Sequence, residues 1–398
     1  MNIVKIIDID NQGRGIGRLN NKVIFIPNTL IDEEVEVEIT LEKKDYLEGK
    51  VINYIKKSNK RIKEKCNKDC GGCNLLHLSY NDQLIIKQTI ITDIINKFLK
   101  EKIKINEIIK SDIEYNYRNK ITLHVINGIL GLYKPKTNEI VEIDECLLVD
   151  NKINEIIKKL KQYDLSNNKE IVIKSTSLNT MLVIDHFIKD IEKINVDTII
   201  CNNKVIKGTG YIEEIINNYR YLISKDSFFQ INKKQTEKLY NLVLKYAQLE
   251  GKEQVLDLYC GTGTIGLYIA KNAQKVIGVE LNKEAIEMAN KNKELNNINN
   301  IEFICGDAKE VIKKINSTID LIIVDPPRSG LYKGMIEDIN EFKSKKIIYV
   351  SCNPITLARD LNILKEKYEI IEIQPVDMFP NTYHVETVSV LCRKTIEK

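Results

Sequence analysis

The sequence predicts an α/β protein. Its C-terminal half should form a doubly wound parallel sheet, preceded by a small β-barrel and a central α+β region. Three observations carry this. From Gln254 onward strand-like and helix-like stretches alternate, the signature of a parallel sheet covered by helices. Residues 1–57 instead read as short alternating strands separated by glycine-rich turns, the pattern of a small barrel. Between them, residues 58–220 mix two helical stretches with alternating strands, and residues 221–398 then carry the parallel-sheet half.

At 398 residues the chain has room for two or three domains. Its net charge of +4 permits nucleic-acid binding without demanding it. No apolar run approaches the roughly 18 residues of a membrane span. The start, Met1-Asn2-Ile3-Val4-Lys5, runs directly into an alternating strand with no apolar signal core. Nine cysteines without a secretory signal argue for a reducing, cytoplasmic compartment. The chain is expected to act as a monomer with no membrane association.

In the barrel region, Ile3 to Ile9 and Val35 to Ile39 alternate, Val23 to Ile26 is a short apolar run, and Gly49 to Ile55 closes the set. Gly13-Arg14-Gly15-Ile16-Gly17-Arg18, followed by Val23-Ile24-Phe25-Ile26-Pro27-Asn28, resembles the TRAM domain, an OB-like RNA-binding barrel. A barrel used only for packing is the alternative. A basic run follows (Lys50, Lys56, Lys57, Lys60, Arg61, Lys63, Lys65, Lys68), suited to a solvated face or linker or to a phosphate-binding patch. Cys66, Cys70 and Cys73 then fall within eight residues around a Gly-Gly turn, with Cys146 as the fourth candidate. This spacing suits zinc and iron–sulfur ligation alike. Asp82 to Leu99 has helical periodicity, with Leu84, Ile85, Ile90, Ile91, Ile94, Ile95 and Phe98 on one side. Tyr115-Asn116-Tyr117-Arg118-Asn119-Lys120 interleaves aromatics and cations as nucleic-acid surfaces do, and as solvated strand ends also do. Asp226-Ser227-Phe228-Phe229-Gln230 precedes a helix and suits a lid or a cofactor wall.

Val255 to Tyr259 reads as a buried strand carrying Asp257. Gly261-x-Gly263-x-x-Gly266 turns from it into a helix, and the next strand ends at Glu280, placed to hold a ribose hydroxyl pair. This turn fits a dinucleotide site and the S-adenosylmethionine site of a class I methyltransferase equally well. The later strands separate the two readings. Ile304-Cys305-Gly306-Asp307 offers a carboxylate for an adenine amino group, and Val324-Asp325-Pro326-Pro327-Arg328 ends a strand with a carboxylate and a rigid turn. The following strand, Ile347 to Ser351, delivers Cys352 to its C-terminal tip, just before Asn353-Pro354. By itself Cys352 reads as a nucleophile or as a core thiol. A nicotinamide enzyme needs no nucleophile there, whereas a pyrimidine C5 methyltransferase does. Carbon 5 of uracil attacks a methyl sulfonium only after a thiolate has added at carbon 6, and a base must then remove the C5 proton. Glu386, at the start of the last strand, completes the set, the alternative being an edge carboxylate. Cys201, Cys260, Cys305 and Cys392 lie singly in apolar runs and read as packing residues.

Over its whole length the chain resembles the RNA 5-methyluridine (uracil-C5) methyltransferases of the TRAM-containing, iron–sulfur type that act on 23S ribosomal RNA. The matching stretches are the TRAM-like start, Cys66 and Cys70-Gly-Gly-Cys73 with Cys146, Phe228-Phe229-Gln230, Asp257-Leu-Tyr-Cys-Gly-Thr-Gly, Asp325-Pro-Pro-Arg328, Ser351-Cys352-Asn353-Pro354 and His384-Val-Glu386. The resemblance implies a class I (Rossmann-like) S-adenosylmethionine methyltransferase domain, with Cys352 as nucleophile and Glu386 as proton acceptor. It implies cofactor contacts at Gln230, Tyr259, Thr264, Glu280, Asp307 and Asp325, and a [4Fe–4S] cluster on Cys66, Cys70, Cys73 and Cys146. It also implies that part of the cysteine-proximal helix packs on the catalytic domain. The family more often separates its first two cysteines by five residues; here they are separated by three. The rival readings are a transfer RNA methyltransferase of the same chemistry and a catalytically silent RNA-binding assembly factor. An amino-group methyltransferase is disfavoured because Arg328 follows Pro-Pro where an aromatic would stack the base.

Overall fold

Six short strands open the chain: β1 (Asn2–Lys5), β2 (Asp8–Ile9), β3 (Gly15–Leu19), β4 (Lys22–Ile26), β5 (Glu34–Glu42) and β6 (Tyr46–Lys56). They pair in the order β1-β5-β6-β4-β3-β2, in a computed structural model that describes residues 2–315 and 317–395. Alternation puts Val4, Ile24, Ile26, Val35, Val37 and Leu47 inside the barrel. The interior is too narrow for side chains at two positions. A Cβ at Gly15 would lie 2.0 Å from Thr29 Oγ1, and one at Gly17 2.2 Å from Val4 Cγ1.

Helix α1 (Tyr80–Leu99) follows, capped by the Ser79 side chain on Asp82 N. Gln83, Lys87, Ile91, Ile95 and Leu99, spaced by four, form its buried stripe. Ile85 and Phe98, expected on the apolar side, are exposed instead. The stripe packs on the helix of residues Pro354–Leu364 through Ile91, Ile95 and Leu99. Residues 103–111 then run beside the C-terminal sheet, where Asn106 N donates to Ile373 O and Ile109 N to Pro375 O, both 2.9 Å. Residues 80–111 therefore pack with the C-terminal half, although they fall inside the linear segment 58–220.

The central sheet contains β7 (Lys120–Ile126), β8 (Ile129–Tyr133), β9 (Ile140–Glu142), β10 (Glu170–Ser175), β11 (Thr180–Ile184), β12 (Thr198–Cys201) and β13 (Lys204–Lys207), in the order β13-β12-β11-β10-β7-β8-β9. Helix α2 (Asn151–Leu160) covers it with Ile153, Ile156, Ile157 and Leu160. A hairpin of β14 (Ile212–Ile216) and β15 (Tyr219–Ile223) straddles the expected boundary at 220/221. Its Ile212 and Ile223 pack with Met181 and Ile200, and its Tyr221 with the C-terminal core.

After α3 (Lys233–Ala247) comes the alternating half: β16 (Gln254–Leu258), α4 (Thr264–Ala270), β17 (Lys275–Glu280), α5 (Lys283–Leu295), β18 (Ile301–Cys305), α6 (Ala308–Ile312), β19 (Leu321–Val324), α7 (Lys333–Glu341), β20 (Lys346–Ser351), α8 (Pro354–Leu364), β21 (Tyr368–Val376) and β22 (Glu386–Arg393). The sheet order is β18-β17-β16-β19-β20-β22-β21. Only β22 runs antiparallel, pairing β20 on one side and β21 on the other. The order reverses between β16 and β19, so the ligand crevice of such a sheet lies beyond their C-terminal ends. No helix among the described residues is long and apolar enough to cross a membrane.

Candidate active site

Strand β20 is a buried Ile-Ile-Tyr-Val run, and it stops because Asn353-Pro354 starts α8: Asn353 caps the helix on Ile355 N (3.1 Å). Cys352 sits between, half-buried on a rigid corner. The Asn353 side chain also donates to Arg328 O at 2.9 Å, tying this corner to the Pro-Pro-Arg turn after β19. In the β20–β22 ladder Ser351 pairs with Thr387. One step further along that antiparallel register, Cys352 stands opposite Glu386, and opposed residues point to the same face. The sequence expectation named both residues; strand order and register bring them together.

Charge and burial set the chemistry of this pair. Burial pushes the Cys352 thiol up to about 11; the Glu386 and Asp325 charges push the same way, and Arg328 opposes them. Glu386, only 4% exposed, is held well above the ordinary carboxyl range, by burial first and then by Asp325, again against Arg328. Cys352 faces a cavity of about 300 Å³ shared with Asn11, Gln12, Lys87, Arg328 and His384. Burial lowers His384 to about 4, with the nearby Arg328 cation acting in the same direction. Its Nε2 lies 3.4 Å from Arg328 Nη2.

A second group gathers at the ends of β16 to β19. Asp257 Oδ2 accepts from Gly266 N (3.0 Å) and fixes the start of α4. Burial, reinforced by Asp325, raises Asp257 to about 8, and burial raises Asp325 to about 7. Glu280 accepts from Gly261 N (3.2 Å) and Asn282 N (2.9 Å), joining the strand tip to the glycine turn. Tyr259, at φ +63°, holds a left-handed conformation costly for a bulky residue, and it lies within range of the Asp307 and Glu280 charges. A Cβ at Gly263, itself at φ +77°, would sit 2.4 Å from Phe303. The remaining expected contacts are less concentrated. Thr264 Oγ1 accepts from the buried Tyr240 hydroxyl at 2.7 Å, and Asp307 is exposed and caps α6 on Lys309 N at 2.9 Å. Gln230 is half-buried, with its carbonyl held by Asn119 Nδ2 at 2.9 Å, and the neighbouring Phe228 is 72% exposed. Cys305, expected in packing, is exposed, whereas Cys201 and Cys260 are buried.

Sequence reasoning missed the brace behind His384 and Glu386. Lys87 and Asp377, both with fully buried side chains, pair at 2.6 Å. Lys87 also donates to Phe379 O (3.0 Å), and the Tyr80 hydroxyl to Asp377 Oδ2 (2.8 Å). Gln83 and Asn381 exchange two further bonds, Gln83 Nε2 to Asn381 Oδ1 at 3.1 Å and Asn381 N to Gln83 Oε1 at 2.9 Å. Helix α1 thus holds the loop before β22 at Asp377, Phe379 and Asn381. The available signal was polar: Gln83 and Lys87 continue, at spacing four, the line of Ile91, Ile95 and Leu99.

This geometry can be compared with known proteins. Residues 174–394 match the family described as tRNA (Uracil-5-)-methyltransferase, and residues 3–52 match the TRAM domain. The first match covers more than half of the chain and includes Asp257, Asp325, Cys352 and Glu386. The chain belongs to this family. A relative from Clostridium tetani, described as an uncharacterized RNA methyltransferase, is 37% identical over 96% of this chain and 94% of its own. One from Staphylococcus epidermidis with the same description is 35% identical over 99% and 97%. Among solved structures, the tRNA (uracil-54, C5)-methyltransferase of Pyrococcus abyssi in complex with S-adenosyl-L-homocysteine is similar over 98% of this chain and 99% of that one, with TM-score 0.82 and 30% identity. This uracil-5 methyltransferase is an S-adenosylmethionine-dependent RNA methyltransferase of class I Rossmann-like fold with an N-terminal TRAM domain.

The cysteines of this methyltransferase converge as well. Cys66, Cys70, Cys73 and Cys146 line one cavity of about 530 Å³, and none forms a disulfide. Burial, with the Cys146, Cys70 and Cys66 charges added, pushes the Cys73 thiol up to about 12. Asn154 of α2 anchors Cys146, accepting from its N–H (2.9 Å) and donating to its carbonyl (3.1 Å). Among the described residues no three His, Cys, Asp or Glu side chains stand close enough to hold one metal ion. The four cysteines therefore share a cavity but do not form the closed ligand shell that was expected. A multinuclear cluster spreads its thiolates over several metal atoms, and four thiols facing one cavity fit that donor set.

Proposed function

We propose that this chain methylates carbon 5 of uridine in RNA, most directly 23S ribosomal RNA, through a covalent adduct between Cys352 and carbon 6. The observation that carries the reading is Cys352 lining a cavity one residue beyond the Ser351–Thr387 pair, with the buried Glu386 close enough for its charge to act on the thiol, inside the segment matched by the uracil-5 family. The Cys352 sulfur, once deprotonated, adds to C6, and the displaced π electrons move onto the C4 carbonyl oxygen. Bound S-adenosylmethionine supplies an electrophilic methyl group and a positive charge. C5 forms its bond to that methyl carbon, and the old carbon–sulfur bond breaks toward neutral S-adenosylhomocysteine. The Glu386 carboxylate takes the C5 proton; the C6–S bond then breaks and restores the Cys352 thiolate. One proton is released overall. Arg328 favours both anions, and Asp257, Asp325, Glu280, Tyr259, Thr264, Asp307 and Gln230 form the cofactor side. The target base must leave its stack to reach Cys352.

Cys66, Cys70, Cys73 and Cys146 would hold a [4Fe–4S] cluster that ties the basic linker to α2 and the central sheet. In this reading residues 1–57 and 58–220 bind RNA, and residues 221–398 are catalytic. The preference for ribosomal over transfer RNA rests on the sequence resemblance and the cysteine cavity, while the tRNA enzyme of Pyrococcus abyssi, similar over 98% of this chain, supports the transfer RNA alternative. The test uses large-subunit ribosomal RNA and transfer RNA from cells lacking the protein, incubated with labelled S-adenosylmethionine and digested to nucleosides. Label in 5-methyluridine of ribosomal RNA is expected. Label in transfer RNA alone moves the substrate to that class, and label in neither leaves an RNA-binding assembly factor.

A further inference from the structure

The cavity in front of Cys352 is walled by three separate parts of the chain. The catalytic corner supplies Arg328, Cys352 and His384, and α1 supplies Lys87. The third wall is Asn11 and Gln12, from the turn between β2 and β3 of the TRAM barrel. We infer that these two carboxamides bind the nucleotide whose base is modified, so that the barrel completes the substrate pocket as well as attaching RNA.

Rigidity is the first support. Asp10 Oδ1 accepts from Gln12 N (2.9 Å) and from Arg14 N (2.8 Å), while Gly13 N donates to Asp10 O at 3.0 Å. The Arg14 guanidinium returns to Asp10 Oδ2 at 2.8 Å and lies 4.6 Å over the Phe25 ring. The turn is thus fixed by its own backbone, by one short acidic side chain and by the barrel. The second support is docking. Gly13 has φ +73°, and a Cβ there would stand 3.0 Å from Leu75 and 3.5 Å from Tyr383 Cβ. The turn thus lies against Leu75 and beside Tyr383, the residue before His384, so its position is registered to the loop that leads into β22 and not only to the barrel.

Chemistry and size agree. The bonds that fix the turn use the Asn11–Gln12 backbone; among the described residues neither carboxamide is bonded to the protein, and both residues are exposed. Each carboxamide offers one acceptor and two donors, matching the carbonyl and N3–H edge of a uracil and the 2′-hydroxyl of a ribose. A cavity of about 300 Å³ lies at the small end of ligand sites and suits one extruded nucleotide, not a stacked pair. Phosphate contacts attach RNA without selecting a base, so a base-side contact is what the pocket needs.

This inference rests on the uridine chemistry proposed above, and its test separates the two. Asn11→Ala, Gln12→Ala and the double variant are compared with wild type, with Lys252→Ala, exposed ahead of the N-terminal end of β16, as control. The measurements are kcat/KM for 5-methyluridine formation on the ribosomal and transfer RNA of cells lacking the protein, RNA affinity by filter retention, S-adenosylmethionine affinity, and thermal melting. Loss of two neutral hydrogen bonds predicts a fall in kcat/KM of about tenfold in the double variant. RNA affinity, cofactor affinity and melting should stay within about twofold or a degree or two, because phosphates and the core are untouched. In parallel, RNA transcribed with 4-thiouridine is irradiated with wild-type protein, and the cross-linked peptides are mapped by mass spectrometry. A cross-link within residues 8–19 is expected. A double variant that keeps kcat/KM within twofold, or barrel cross-links found only outside residues 8–19, overturns the inference. Absence of 5-methyluridine with wild type, while the 8–19 cross-link persists, overturns the uridine reading and leaves the barrel turn as a nucleotide contact.

Discussion

Asp257 and Asp325 are buried carboxyls in β16 and directly after β19, on the side the proposed function gives to the cofactor, and burial raises them to about 8 and about 7. A cation entering that basin binds their ionised forms. For Asp325 at about 7, the ionised fraction rises from roughly one-eleventh at pH 6 to roughly ten-elevenths at pH 8, about a tenfold gain. S-adenosylmethionine should therefore bind about tenfold more tightly at pH 8 than at pH 6. S-adenosylhomocysteine carries the same amino-acid and adenosine parts but a neutral sulfur. The ratio of the two affinities cancels the titration of the shared groups and isolates the sulfonium. The perturbation is Asp325→Asn, which keeps the shape and removes the charge. The assay is isothermal titration calorimetry of both ligands at half-unit steps from pH 6 to 8, in two buffers of different ionisation enthalpy so that released protons are counted. Wild type should show a ratio rising about tenfold with proton release on S-adenosylmethionine binding, and the variant should flatten it. A ratio independent of pH in wild type would refute the electrostatic reasoning, since the carboxyls would then be ionised already or remote from the sulfur.

Three further outcomes follow from the same contacts. Lys87→Met leaves Asp377 buried and unpaired and should cost about 3–5 kcal/mol in chemical denaturation, while the Lys87→Met/Asp377→Asn double variant recovers part of it. The folded value of Asp257, about 8, lies above its usual 3.8, so its contribution to stability is complete below that value and is lost as pH rises toward 8. Asp257→Asn, which keeps the acceptor for Gly266 N, should shrink the fall in melting temperature of ligand-free protein between pH 5 and 8. Anaerobically purified protein should contain iron and acid-labile sulfide with visible absorbance, and Cys73→Ser should lose all three; zinc in their place would remove the cluster from the account.

The C-terminal half was legible because its signals are local. A short apolar run closed by a carboxylate, glycine or cysteine announces a parallel strand and its end at once, so the strand positions of Glu280, Asp325 and Cys352 could be read in line. The barrel was legible for a similar reason, through strict alternation and the Gly13 to Arg18 turn. Long-range packing was not. Helix α1 carries an amphipathic pattern that says it packs, but nothing in residues 80–99 says that the partner is α8, more than 250 positions away. The opposition of Cys352 and Glu386 depends on β22 inserting antiparallel between β20 and β21, a topological fact absent from either stretch. Asn11 and Gln12 look like ordinary turn residues, and only docking of the barrel brings them to the cavity.

The most direct measurement concerns the bond between protein and RNA. Glu386→Gln should permit addition of Cys352 and methyl transfer but leave the C5 proton in place, so that the sulfur cannot be expelled. Incubated with large-subunit ribosomal RNA from cells lacking the protein and with S-adenosylmethionine, this variant should yield a complex stable to denaturing electrophoresis. After nuclease digestion, mass spectrometry should find a methylated uridine nucleotide on Cys352, and the Glu386→Gln/Cys352→Ala double variant should give none. If wild type forms 5-methyluridine while the Glu386→Gln protein yields no adduct, or one on another residue, the assigned roles of Cys352 and Glu386 are contradicted.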